Sequence, residues 1–150
     1  MGEGTVSLIG RTAPEFRFEV ERSKVREFAR AVYDEHAGEE LPPVPPTFPM
    51  YAMAAFEPDF LFRVLGLDRK RVLNGGQEYE YVRPLRIGDR LICRARVIED
   101  YQKTGRRGGR MRFVVIEIEM REEASGDLVL VSRSTAIETG ATAEAEKKNG

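Results

Sequence analysis

Val72-Leu73-Asn74-Gly75-Gly76-Gln77-Glu78-Tyr79-Glu80-Tyr81-Val82-Arg83-Pro84-Leu85-Arg86-Ile87-Gly88-Asp89-Arg90-Leu91 is the stretch on which the fold turns. Its first part reads as a loop, because Gly75-Gly76 lets backbone approach closely or take φ > 0. From Gln77 to Val82 the side chains alternate, with Tyr79 and Tyr81 on one face and Glu78 and Glu80 on the other, which predicts a strand. Pro84 cannot donate to a ladder and marks the strand's end, and Gly88-Asp89 supplies the turn into the next strand.

On the C-terminal side the pattern continues as strands. Leu91 to Ile98 alternates, with Leu91, Cys93, Ala95 and Val97 on one face. Thr104-Gly105-Arg106-Arg107-Gly108-Gly109-Arg110 reads as a hairpin loop. Arg112 to Met120 carries Val114, Ile116, Ile118 and Met120 in register, Ala124-Ser125-Gly126-Asp127 is a second turn, and Leu128 to Ile137 pairs back.

On the N-terminal side Phe16, Phe18 and Val20 alternate with charged residues as a first short strand over Glu15 to Val20. Ser23 is placed to cap a helix in which Val25, Phe28, Ala29 and Val32 recur at helical spacing. That stripe reads as core. Pro42-Pro43-Val44-Pro45-Pro46 is a stiff connector too short to link domains. Thr47-Phe48-Pro49 reads as a helix entry, with Thr47 as cap and Pro49 in the first turn. Met50 to Phe56 is then a central helix, and Asp59 to Leu65 a second short one after Pro58. One strand, helices and then four strands joined largely by hairpins predict an α+β fold with an antiparallel sheet.

The chain has 150 residues, a length at which one domain buries roughly 68–70% of its unfolded surface. We expect one domain over residues 1–140 and a frayed, disordered tail over 141–150, which is polar and rich in alanine. The formal net charge of −1 and the absence of aromatic residues among the arginines argue against nucleic acid as a partner. The single cysteine, Cys93, cannot form an internal disulfide, which fits a reducing cytoplasm. Residues 1–11 lack the pattern of a signal peptide, and no apolar run approaches a membrane span. One histidine and one cysteine, far apart, have no metal-ligand spacing, and no phosphate or dinucleotide fingerprint is present, so neither metal nor cofactor is expected.

The run from Gln77 to Leu91 resembles Q-E-[FY]-x-[FY]-x-R-P-L-R-x-G-D-x-L, a motif of the N-terminal-type MaoC-like dehydratase family, and the similarity extends from about Gly10 to Ile137. The resemblance implies a hot-dog fold, an antiparallel sheet wrapped around a central helix. The family includes (R)-specific enoyl-CoA hydratases, 3-hydroxyacyl-thioester dehydratases and the non-catalytic subunits of heterodimeric 3-hydroxyacyl-ACP dehydratases. It therefore implies a role in fatty-acid or acyl-CoA metabolism, with an acyl-CoA or acyl-ACP thioester as ligand. It also implies a homo- or heterodimer with another hot-dog chain, and no membrane partner.

Active members carry D-x-N-P-x-H after the first helix. Here the matching segment is Tyr33-Asp34-Glu35-His36-Ala37-Gly38-Glu39, in which Asp34 matches the acid, His36 stands where the Asn is expected and Glu39 where the His belongs. The family's reaction adds water across the double bond of a 2-enoyl thioester. It needs a base for water or the α-proton, an acid for the other proton, and donors for a thioester oxygen gaining enolate character. Asp34 and His36 are the candidate catalytic pair; the competing reading makes them a solvated carboxylate and a polar residue near a helix end.

Several further residues carry a binding reading beside a structural one. The amides near Phe48 and Met50 are candidate thioester-oxygen donors or an ordinary helix start. Met50, Tyr51 and Met53 line an acyl tunnel or simply the core. Asn74, before Gly75 and Gly76, offers its amide to a thioester or pantetheine group, or forms a turn. Arg106, Arg107 and Arg110, backed by Lys103 and Arg112, suit a CoA phosphate or an acidic carrier protein, or form a solvated hairpin tip.

Four functions follow. The leading one is the acyl-binding subunit of a heteromeric dehydratase, the disrupted Asp/His motif leaving catalysis to a partner. The others are an autonomous dehydratase using Asp34 and His36, a non-catalytic acyl-thioester-binding hot-dog protein, and an acyl-CoA thioesterase. The last is disfavoured because Met50 to Phe56 holds no carboxylate and Glu57 and Asp59 only follow it.

Overall fold

A computed structural model describes residues 6–106 and 108–140. Elements follow in the order β1 (Phe16–Glu19), α1 (Arg22–Ala31), α2 (Pro49–Pro58), a π-helical turn (Asp59–Val64), a short 3-10 turn (Arg69–Arg71), β2 (Val72–Tyr81), β3 (Arg90–Thr104), β4 (Arg110–Glu122) and β5 (Leu128–Thr139). The strands form one five-stranded sheet in the order β1-β3-β4-β5-β2, and every pairing is antiparallel. The core lies on one face of the sheet, packed against α2.

Period-two alternation sets that face. Leu91, Cys93, Ala95 and Val97 of β3 are buried, as are Val114, Ile116, Ile118 and Met120 of β4, and Cys93, Ala95 and Val97 sit opposite Met120, Ile118 and Ile116. Phe48, at the entry to α2, joins three elements. Its ring stacks on Tyr51, lies edge-on to Phe28 of α1 and meets Phe18 of β1 at 5.8 Å. It is fully buried, and truncating such a ring costs about 3–5 kcal/mol.

Several local expectations need correction. The Gly75-Gly76 pair is not a loop but lies inside β2, where the register with β5 shifts between Asn74 and Gly76. Gly75 is there because its backbone passes close to β5: a Cβ would lie 2.6 Å from Cδ1 of Ile137. Ser23 does not cap α1, which begins one residue earlier behind Glu21 with no side-chain cap. Nor does Thr47 cap α2; Phe48 holds that position, with Pro49 in the first turn. Helix α2 does not stop at Phe56. It runs through Glu57 to Pro58 and into the π-helical turn without a break, since Pro58 and Asp59 both keep helical backbone angles.

Strands β3 and β4 are longer than their patterns suggest. A bulge between Val97 and Glu99 shifts the alternation, so that Asp100 rather than Glu99 faces inward, opposite Val114. There its carboxylate receives two hydrogen bonds from Arg112, at 2.8 and 2.7 Å, and one from the backbone N–H of Leu8. The expected tail, 141–150, lies outside the described residues.

Candidate functional site

The segment after α1 is shaped by Tyr33, whose φ of 58° lies in the left-handed region and reverses the chain. Asp34 follows, half-buried, and its N–H donates to the carbonyl of Ala29. Its Oδ1 accepts the backbone N–H of His36 at 2.7 Å. The carboxylate thus forms a turn with the residue two positions on, not a side-chain pair with the imidazole. The His36 ring is exposed and pairs instead with Glu39 through Nδ1, with Glu35 3.4 Å from Nε2. Glu39, by its hydrogen bond and then its charge, raises the His36 pKa, with Glu35 and Asp34 adding to this. An exposed imidazole already engaged by two carboxylates does not share a sheltered water with Asp34.

Three amides at the start of α2 are already engaged. The N–H of Phe48 donates to Pro45, that of Met50 to Thr47 and that of Tyr51 to Phe48. Met50 is exposed, Tyr51 half-buried, and Met53 buried against the sheet. Asn74 uses its side-chain oxygen to accept the N–H of Gly76 at 3.0 Å, bracing the bulge around Gly75.

The basic group at the β3–β4 hairpin divides between directions. Arg106 and Arg110 are exposed at the tip, while Arg107 lies outside the described residues. Lys103 stacks over the rings of Tyr101 and Phe113, which lie against one another on the outer face of the sheet. Arg112 points to the opposite face and is engaged with Asp100. The alternation of β-strand side chains puts Lys103 and Arg112 on opposite faces, while Arg110 lines one shallow pocket with Arg106 and another with Arg112.

Two features flank α2. On the β2 side Glu57 turns toward the sheet, and Ser134 Oγ donates to its carboxylate at 2.8 Å. Burial raises the Glu57 pKa, and the Ser134 hydrogen bond only partly opposes it. Gln77 sits opposite Ser134 and Tyr79 opposite Ser132 across the β2–β5 ladder. Gln77 Oε1 and the Tyr79 hydroxyl are buried without hydrogen-bond partners, and Ser132 and Ser134 are buried as well. The sequence reading misses this polar seam because it ends the helix at Phe56, two residues short of Pro58. Its signal was the spacing of Met53 and Glu57, four residues apart and therefore on one helix face.

On the β1 side lies an open groove of about 460 Å³. Its walls are aromatic and aliphatic: Phe16, Phe18, Tyr51, Phe56, Phe60 and Val64. Phe16 stacks on Phe56 at 4.7 Å, and Phe56 on Phe60 at 5.4 Å. Such a volume lies in the range that encloses small-molecule ligands. Among the described residues no group of three or more His, Cys, Asp or Glu side chains is placed to hold a metal ion. None of their helices is long and apolar enough to cross a membrane.

Comparison with known proteins gives this architecture its relatives. A family model for the FAS1-like dehydratase domain region matches residues 7–130. A UPF0336 protein of Saccharopolyspora erythraea is 34% identical over 143 residues, covering 87% of this chain and 92% of that protein. A UPF0336 protein of Streptomyces griseus subsp. griseus is 40% identical over 99 residues, which span 57% of this chain and 65% of that protein's length. Among solved structures, one chain of the C-terminally truncated HadBC (3R-hydroxyacyl-ACP dehydratase) complex from Mycobacterium tuberculosis aligns with a TM-score of 0.71 at 24% identity, over 88% of this chain and 98% of that one. The (R)-hydratase from A. caviae aligns with a TM-score of 0.56 at 15% identity, over 85% of this chain and 94% of that one. These structural likenesses establish the hot-dog fold.

Proposed function

Because the chain belongs to the FAS1-like dehydratase domain region family and has the hot-dog fold of MaoC-like dehydratases and hydratases, we propose that it is the acyl-binding, non-catalytic subunit of a two-chain (R)-specific enoyl-thioester hydratase or 3-hydroxyacyl-thioester dehydratase, acting in the cytoplasm. The observation that carries this reading is the disposition of Asp34 and His36. The carboxylate is spent on the backbone N–H of His36, and the imidazole on Glu39 and Glu35. Hydration needs two groups that share one water, shielded from bulk solvent. These two residues are not so arranged. The engaged amides at the start of α2 agree, since those three are not free to receive a developing enolate.

In this reading a second hot-dog chain with an intact Asp/His motif supplies the acid and base. This chain supplies the surface on which the acyl group is held.

The test is hydration of a short trans-2-enoyl-CoA by the purified chain alone and mixed with a hot-dog chain carrying that motif. Turnover is expected only in the mixture. Replacing Asp34 by Asn should then leave the mixed rate within about twofold, because general acid–base groups are worth about 10²–10⁴ and this residue is not one. Turnover by the chain alone, abolished by Asp34→Asn, would establish an autonomous dehydratase instead.

A further inference from the structure

The outer face of the sheet, turned away from α2, carries a trough of about 600 Å³. Strand register explains it. Glu99, Val115, Thr135 and Gly76 stand opposite one another in β3, β4, β5 and β2. This row is low, because its middle holds only a valine and a threonine and it ends on a glycine. The rows on either side are taller: Tyr101, Phe113, Ile137 and Leu73 on one, Arg96, Glu117, Arg133 and Glu78 on the other. Bulges beside the low row, between Val97 and Glu99 in β3 and between Asn74 and Gly76 in β2, insert a residue at each end and part the walls. Val115 faces outward yet is only 7% exposed, because those walls screen it.

Charge is unevenly matched along the trough. Glu117 is paired with Arg96 and Arg133, and Glu80 with Arg133. Glu78 and Glu99 are exposed at opposite ends of the lining, in β2 and β3, and neither pairs with a cation among the described residues. Three strand spacings, about 14 Å, and about 7 Å along the strands put them about 16 Å apart. Over that span a volume of about 600 Å³ leaves a cross-section of about 40 Å². An α-helix about 10–12 Å across does not fit such a channel, whereas an extended aliphatic chain does.

We propose that this trough binds a linear aliphatic polyamine, with one protonated nitrogen at Glu78, another at Glu99 and the intervening methylenes over Val115 and beside Tyr101. The ligand must be long as well as cationic, since a four-carbon diamine reaches only one of the two carboxylates. Bound in this way it ties β2 to β3 across the sheet. The trough shares no lining residue with the aromatic groove, so the site stands whether or not the chain binds a thioester.

The experiment is calorimetric titration of the purified chain with putrescine, spermidine and spermine at low salt, repeated on Glu78→Gln, Glu99→Gln and Gly76→Leu. Spermine should bind one to one and at least about fivefold more tightly than putrescine, because it adds a second ion pair and buries more methylenes. Each glutamine variant should weaken spermine by about two- to fivefold, and salt at about 0.3 M should weaken it in the unmodified chain. A Cβ at Gly76 meets nothing within 4 Å, so Gly76→Leu fills the trough without strain and should abolish spermine binding. Methyl NMR signals of Val115 and Thr135 in the unmodified chain should shift with spermine, a readout that needs no variant to fold.

Equal affinity for putrescine and spermine, or spermine binding untouched by all three substitutions, would overturn the inference by placing the polyamine on general acidic surface. A trilysine peptide that matches spermine in affinity and shifts the same methyl signals would give the trough to the lysines of a protein partner instead. Neither heat nor methyl shifts with spermine at about 1 mM would overturn it outright.

Discussion

Glu57 sits between helix and sheet with one neutral partner, Ser134, and no cation beside it. Ionising it strips water from a charge that only one hydroxyl replaces, so its pKa rises. The folded chain then binds more protons than the unfolded one between the ordinary glutamate value and the raised one. Stability contributed by this group is present below that window and is lost as pH climbs through it. Glu57→Gln removes the titration while keeping an acceptor for Ser134. Urea unfolding in the ordinary carboxylate range and again near neutrality should show the unmodified chain losing more stability with rising pH than the variant. Identical pH dependence in the two would contradict the burial argument. Gly75 makes the same point about local demand: any side chain there must displace Ile137.

At the scale of elements, the bulge in β3 has a measurable consequence. By turning Asp100 inward it creates a bidentate pair with Arg112, in which the two side chains are only 5% and 16% exposed. The same pair ties down the N-terminal segment, through the N–H of Leu8 to Asp100 and from Arg112 Nη2 to the carbonyl of Val6. The Arg112 hydrogen bonds, with that N–H and the guanidinium charge, hold the Asp100 carboxyl below its usual range despite burial. Its stabilisation is therefore present above the ordinary aspartate value and lost as pH falls through the depressed one. Asp100→Ala takes from Arg112 the carboxylate that holds it by two hydrogen bonds, and a loss of about 3–5 kcal/mol is expected in chemical denaturation. Faster amide exchange at Leu8 should accompany it; a change under 1 kcal/mol, at about the level of an exposed pair, would refute this account.

For the whole molecule, the informative feature is the sheet's two edges. Strand β1 is a four-residue edge lying beside the groove, and β2 is a ten-residue edge with its outer side unpaired. Leu73 and Val82, at either end of β2, are 59% and 65% exposed. A long edge with exposed apolar residues invites a second strand, and a charge on it is the usual deterrent. If the partner chain adds along β2, Leu73→Lys should lower the assembled mass measured by light scattering and reduce the mixed-chain hydration rate by about tenfold or more, an interface cost of about 1.4 kcal/mol. Unchanged mass and rate would send the partner to another surface.

Much of this was legible from residue order alone. Alternation in β3 and β4 identifies the buried faces, and hairpin turns at Gly-rich and Ser-Gly-Asp positions join β3 to β4 and β4 to β5, because β periodicity and turn chemistry are local properties; that β1 lies beside β3 and β2 beside β5 is decided by the tertiary structure. The motif from Gln77 to Leu91 likewise sufficed for the family. What local pattern could not supply was where an element stops or slips. Helix α2 continues past Phe56 because Phe60 and Leu61 pack into the core, which carries Glu57 to the sheet. The β3 bulge exchanges inside for outside between Glu99 and Asp100. The separation of Asp34 from the His36 ring depends on the left-handed turn at Tyr33, and the polar seam and the aromatic groove exist only once β1, α2, β2 and β5 are brought together. Residue order specified the elements and the lineage. Contacts between residues distant in sequence specified the site, because burial, which turns a glutamate into a guarded carboxyl and four phenylalanines into a groove wall, is a property of the assembled fold.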